Sequence, residues 1–133
     1  MDHSVIPKGG AVYVVEDDAS LCKALRRLLR SAHHHVLVFS SAEEFYQSNF
    51  RNEPGCLLLD IQLPGISGFE LQERLLASGA RIPVIFITGL DSEGMEERAM
   101  RLGASAYLLK PVDDETLLGA IHLAMKSLAN GKE

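Results

Sequence analysis

Apolar positions fall along this chain in two alternating rhythms. Short apolar runs are "AVYVVE" (11–16), "VLVF" (36–39), "CLLLD" (56–60), "PVIFIT" (83–88) and "AYLLK" (106–110), the first, second and fourth of them rich in β-branched residues. Runs of this length and composition predict strands, and the near-continuous ones predict strands buried on both faces. Between them the apolar residues space out to a helical period. Leu21, Leu25, Leu28 and Leu29 form one stripe over 19–32, with Lys23, Arg26, Arg27 and Arg30 off it. Phe69, Leu71, Leu75 and Leu76 form another, and Leu117, Leu118, Ile121 and Met125 a third. Ser41 with Glu44, and Ser67 with Glu70, carry the S-x-x-E spacing of a capping box. These start helices two and three, the former running to about Asn49. Gly79 ends the third helix and Gly103 a fourth over about 93–102, while Asp113 or Asp114 caps the last.

Strand then helix, five times over, predicts an α/β fold. It is a doubly wound, five-stranded parallel sheet of flavodoxin-like (βα)5 type, with helices on both faces and right-handed crossovers. The strand order expected of so small a sheet is 2-1-3-4-5, and ligands of such sheets bind beyond the carboxyl ends of the strands. Those ends carry the chain's candidate chemistry. Strand one runs into Glu16, Asp17 and Asp18, and strand three into Asp60. Strand four ends at Thr88 and strand five at Lys110. Clustered carboxylates repel unless a cation joins them, and hard oxygen ligands suit Mg²⁺, with Mn²⁺ as a substitute. An aspartate beside a bound cation, with an ammonium and a hydroxyl facing it, fits phosphoryl transfer onto Asp60.

The bulk properties narrow the picture. A chain of 133 residues with 47% hydrophobic and 23% charged residues is sized for one domain. A net charge of −5 argues against direct nucleic-acid binding by this domain. No stretch is long and apolar enough for a membrane span and no signal-peptide pattern opens the chain, so the expected location is the cytoplasm. Cys22 and Cys56 make no metal or redox motif, and both are expected to be free thiols. Residues 1–10 are expected to be a lead-in, 11–129 the domain, and 130–133 a tail or the start of a linker. The histidine run 33–35 invites a metal reading, but consecutive side chains diverge. His33 instead occupies the position of a helix C-terminal glycine.

Four segments, "VVEDD" (14–18), "LLLDIQLPGISG" (57–68), "VIFITG" (84–89) and "AYLLKP" (106–111), resemble in order and spacing the receiver domains of two-component response regulators. The resemblance is nearest to receivers that precede a helix-turn-helix output domain. It implies that Asp60 is the phospho-accepting aspartate. Glu16, Asp17, Asp60 and the backbone carbonyl of Gln62 would hold the metal, Glu16 through water. Thr88 would be the switch hydroxyl, Gly89 the small residue leaving room for the phosphoryl group, and Lys110 the phosphate-binding lysine. Tyr107 would be the switch aromatic, and Lys110–Pro111 a cis peptide. The implied partners are a sensor histidine kinase, an output domain or target protein, and a second copy of the phosphorylated domain. Leu21 and Cys22 would help dock the kinase.

Other readings account for parts of the pattern. Asp60 could cap the turn before Pro64–Gly65, and Asp18 suits the start of the next helix, where the macrodipole favours acids. A free-standing regulator acting through protein contacts fits the same residues. A flavodoxin-like cofactor module would need a phosphate-cradling loop where the acidic "EDDAS" stands. An aspartate-based phosphohydrolase would need an acid at position 62, where this chain has Gln. Dephosphorylation without that acid is expected to be slow, so the domain is read as a signalling module with self-catalysed phosphoryl transfer rather than as an enzyme.

Overall fold

Apolar runs without polar interruption demand cover on both faces, and the sheet provides it. The computed structural model describes residues 6–130. The remainder of the expected lead-in (1–5) and tail (131–133) lies outside the described residues. The strands are β1 (Ala11–Val15), β2 (Val36–Phe39), β3 (Gly55–Asp60), β4 (Val84–Thr88) and β5 (Ala106–Leu109). They form one parallel sheet in the order β2-β1-β3-β4-β5. The three central strands are buried at every residue, whereas the edge strands β2 and β5 are partly exposed. The helices are α1 (Ala19–Ser31), α2 (Ala42–Gln47), α3 (Gly68–Ala77), α4 (Met95–Arg101) and α5 (Asp114–Asn130).

Alternation along each strand splits the core in two. Tyr13, Val15, Leu57, Leu59, Val84 and Phe86 pack with Phe45 of α2, Phe69, Leu71 and Leu75 of α3, and Ala99 of α4. Val12, Val14, Leu58, Ile85 and Ile87 pack with Leu25 and Leu29 of α1 and with Leu117 and Ile121 of α5. Ahead of β1, Ile6 packs on the first of these clusters, and the N–H of Gly10 closes a turn onto Pro7. No helix among the described residues is long and apolar enough to cross a membrane.

Helix ends follow local chemistry. Asp18, Ser41, Ser67 and Asp113 each accept backbone N–H groups at the start of α1, α2, α3 and α5. At Ser67 and Glu70 both bonds of the capping box form. At α2 only half of it does: Glu44 turns back to the N–H of Ser40 instead of Ser41. Helix α2 stops at Gln47, short of the expected Asn49, because Asn49 takes a left-handed φ of 73° and a 3-10 turn follows at Phe50–Asn52. Helix α4 starts two residues later than expected, after Gly94 at φ 88°, and has no side-chain cap.

The C-terminus of α1 bears out the role given to His33. Its φ is 70°, its N–H binds Arg30 O, and the N–H of His34 binds Leu29 O. This is the Schellman arrangement that Gly79 and Gly103 make for α3 and α4. A Cβ in this conformation costs about 1–2 kcal/mol, while glycine loses about 0.4–1 kcal/mol through the unfolded chain. His33 is exposed, so little packing is at stake. His33→Gly is therefore expected to stabilise the fold by about 0.5–1 kcal/mol, read as a rise in urea midpoint with an unchanged slope.

Candidate functional site

The same alternation that divides the core sorts the polar residues at the carboxyl edge. Continued beyond β1, β3 and β5, it puts Glu16, Asp60 and Lys110 on the face of α1 and α5. Thr88 and Tyr107 fall in phase with Phe86, on the face of α3 and α4. Two groups of residues result, meeting at one rim.

The first group is an ionic cluster. Asp60 is 3% exposed and Glu16 1%. Lys110 Nζ lies 3.1 Å from Asp60 Oδ2 and 2.9 Å from Glu16 Oε1. The other Asp60 oxygen, Oδ1, accepts the N–H of Gln62 at 3.1 Å. Glu16 Oε2 accepts the N–H of Asp18 at 3.0 Å. Glu16 Oε1 is buried without a hydrogen-bond donor in good geometry. At 2.9 Å its contact with Lys110 is an ion pair that leaves directional capacity unused. Asp17 is exposed, and one oxygen from each of Glu16, Asp17 and Asp60 lies within 4.8 Å of the others. An under-satisfied buried carboxylate beside two more hard oxygen donors fits a divalent cation such as Mg²⁺.

Electrostatics follow the geometry. Burial pushes the Glu16 carboxyl up from its ordinary range and the charge of Asp60 adds to the rise, while the Asp18 N–H and Lys110 work against it. For Lys110, burial works against the ammonium, but the contacts with Glu16 and Asp60 prevail and hold it above its ordinary value. Lys110 is delivered by β5, its N–H bonded to Thr88 O at 2.8 Å, and the Lys110–Pro111 peptide is cis.

The second group is tied elsewhere. The Thr88 hydroxyl accepts the N–H of Leu90 at 3.1 Å and donates to Leu90 O at 3.3 Å. The Tyr107 hydroxyl donates to Asp91 at 2.5 Å. Loss of hydration and that carboxylate push the phenol up to about 12. A Cβ on Gly89 would meet only the Lys110 stem, at 3.7 Å, so alanine fits there in this state. Asp18 caps α1, and the Cys22 thiol donates to Glu16 O at 3.2 Å. Cys22 and Cys56 are both free.

Sequence reasoning missed three contributors. Gly68 opens α3 with its Cα against β3: a Cβ there would stand 2.4 Å from Asp60 O, and its N–H binds Ile61 O. A glycine in the first turn of a helix, straight after a good cap, was the available signal. Asp91 and Glu43 act across 16 and 23 residues, and no local spacing marks them.

Residues 12–122 match the family model described as the response regulator receiver domain. The chain belongs to that family. It is 42% identical over 119 residues to nodulation protein W of Bradyrhizobium diazoefficiens, covering 90% of this chain and 52% of that protein. It is 34% identical over 129 residues to the transcriptional regulatory protein FixJ of Azorhizobium caulinodans, covering 96% of this chain and 61% of that one. The solved structure of the response regulator StyR superposes with a TM-score of 0.85 at 42% identity, over 90% of this chain and 61% of that one. The chain thus spans about half to three-fifths of the length of these relatives. It is a receiver domain of two-component signalling, and its relatives include regulators of transcription.

Two measurements probe this construction. Gly68→Ala is expected to destabilise the fold by about 1–3 kcal/mol through overpacking, and to shift the Ile61 and Gly68 amide resonances. Lys110→Met removes the cation that favours ionised carboxylates. Glu16 is then expected to titrate at higher pH than in the parent, read from its side-chain ¹³C carboxyl shift.

Proposed function

We propose that the domain accepts a phosphoryl group on Asp60 from the phosphohistidine of a sensor histidine kinase, and that this changes the face formed by α4, β5 and α5. The observation that carries the reading is the approach of Lys110 to Asp60, within a cluster of three carboxylates whose oxygens converge. Asp17, Asp60, Glu16 through water, and the carbonyl of Gln62 are the groups assigned to hold Mg²⁺ or Mn²⁺. When bound, the ion offsets the negative charge that would repel an incoming phosphoryl group.

The chain's own residues do the rest. An Asp60 oxygen forms the new P–O bond as the P–N bond to imidazole breaks. The bonding pair returns to the ring nitrogen. Lys110, already at Asp60, donates to a phosphoryl oxygen. Thr88 can do so only by releasing Leu90, and that release frees the segment carrying Asp91. Tyr107 then loses its partner and turns toward the space that Thr88 leaves. The new group brings about −1.5 to −2 charges and strong acceptor oxygens. It biases a two-state equilibrium as far as it binds one state better.

A cleft of about 880 Å³ between α1 and α5 supports the kinase assignment. Leu21, Leu25, Leu28, Pro111 and Leu117 line it, and Lys110 stands at its edge. We place a kinase helix there. Leu21 lines this cleft, whereas the Cys22 thiol is turned to Glu16 O. Exposed Leu109, on β5, and Leu123, on α5, lie on the output face. They would meet an output domain, a target protein or a second phosphorylated copy. By analogy with FixJ, the output is transcription. Residues 11–129 make up the receiver unit in this reading, working in the cytoplasm.

Acetyl phosphate with Mg²⁺ is expected to add one phosphoryl group, and Asp60→Asn to abolish the addition, by intact mass at neutral pH. Equal labelling of the variant would refute the assignment.

A further inference from the structure

Two consecutive glutamates open α2, and they do different things. Glu44 serves its own helix end, accepting from the N–H and the hydroxyl of Ser40 at 2.8 and 3.2 Å. Glu43 leaves its helix. Its Oε2 accepts the N–H of Ile66 at 3.2 Å, across 23 residues of sequence. The carboxylate also lies against Gly65, where φ is 79° and a Cβ would stand 2.5 Å from the same oxygen. Glu43 is half-buried and makes no ion pair among the described residues.

Ile66 and Gly65 belong to the segment 61–67, which leaves β3 directly after Asp60. The near end of that segment is tied by the Gln62 N–H to Asp60, and the far end by the Gly68 N–H to Ile61 and by the Ser67–Glu70 box. All these ties are made within β3, the segment itself and α3. Glu43 is a side-chain anchor from another βα unit, and it grips the outer part of the bend, whereas the Ile61 N–H at the start of the segment binds Ile87 O of β4. We propose that Glu43 is a positioning residue for the metal site. By holding Gly65 and Ile66, it fixes the course of the loop that carries Gln62 beside Asp60. The proposal rests on the phospho-accepting reading, in which the Gln62 carbonyl serves as a ligand. Outer-shell groups that orient ligands typically govern metal affinity by 10–100-fold.

The test is Mg²⁺ binding by calorimetry to the whole domain, with Asp60→Asn as the control for the site. Glu43→Ala is expected to raise the Mg²⁺ dissociation constant about tenfold. Glu43→Gln, which keeps an acceptor oxygen and loses the charge, is expected to stay within about twofold of the parent. If the alanine variant binds as the parent does, the proposal falls and the phospho-accepting reading stands. If glutamine is as weak as alanine, the charge matters and not the hydrogen bond, which also overturns it. If the parent itself binds no Mg²⁺, the phospho-accepting reading falls with it. Gly65→Ala gives a second route should Glu43→Ala fail to fold. Its methyl would displace the carboxylate, and parent-like binding by that variant would overturn the proposal.

Discussion

The structure depends on one ammonium group set among acids. Lys110 holds Glu16 and Asp60 together at the open end of the sheet, at 2.9 and 3.1 Å. Both carboxylates are almost fully buried, and ionised groups out of water are costly unless paired. One cation cannot neutralise two anions, and with Asp17 nearby the rim stays negative. The sheet therefore holds together a site that is electrostatically incomplete. Glu16 expresses this most clearly, with a carboxyl shifted upward and a buried oxygen whose contact with the Lys110 ammonium is out of hydrogen-bond geometry. In the proposed function, the response of this site is to a cation or a new charge.

Strand alternation gives that response a direction. The charged group lies on the side of α1 and α5, where the wide cleft opens. Thr88 and Tyr107 lie in phase with the opposite layer, beside α3 and α4. In the proposed function, an event at Asp60 would arise on one face and be read on the other. The connection is short: Thr88 to Leu90, then Asp91 to Tyr107.

Much of this was legible in the sequence because it is periodic or lies at strand ends. Continuous apolar runs marked β1, β3 and β4, and the acids, the threonine and the lysine that terminate strands had to share one edge once the order was set. The Ser67–Glu70 box, the Asp18 cap and the His33 turn were legible because each is complete within a few residues. What escaped was tertiary. Gly68 is required by a carbonyl eight positions back in the chain, brought close by the crossover. Asp91, in the β4–α4 loop, meets Tyr107 of β5 from 16 residues away. Glu43 looks like any first-turn acid until the next unit's loop lies against it. The start of α4 moved because Gly94 adopts a left-handed turn that periodicity does not register.

Helix α4 is also restrained unequally along its length. At its far end the buried Gln72 amide donates to Leu102 O at 2.8 Å, and Arg98 lies over the Phe69 ring and reaches Glu73. At its near end, next to the loop from Thr88 to Asp91, no side chain satisfies the first N–H groups. Local opening should therefore begin at that near end, at a free energy well below that of global unfolding. The helix is thus tied to α3 through Leu102 and Arg98, and its uncapped end is the one that faces the loop from Thr88 to Asp91.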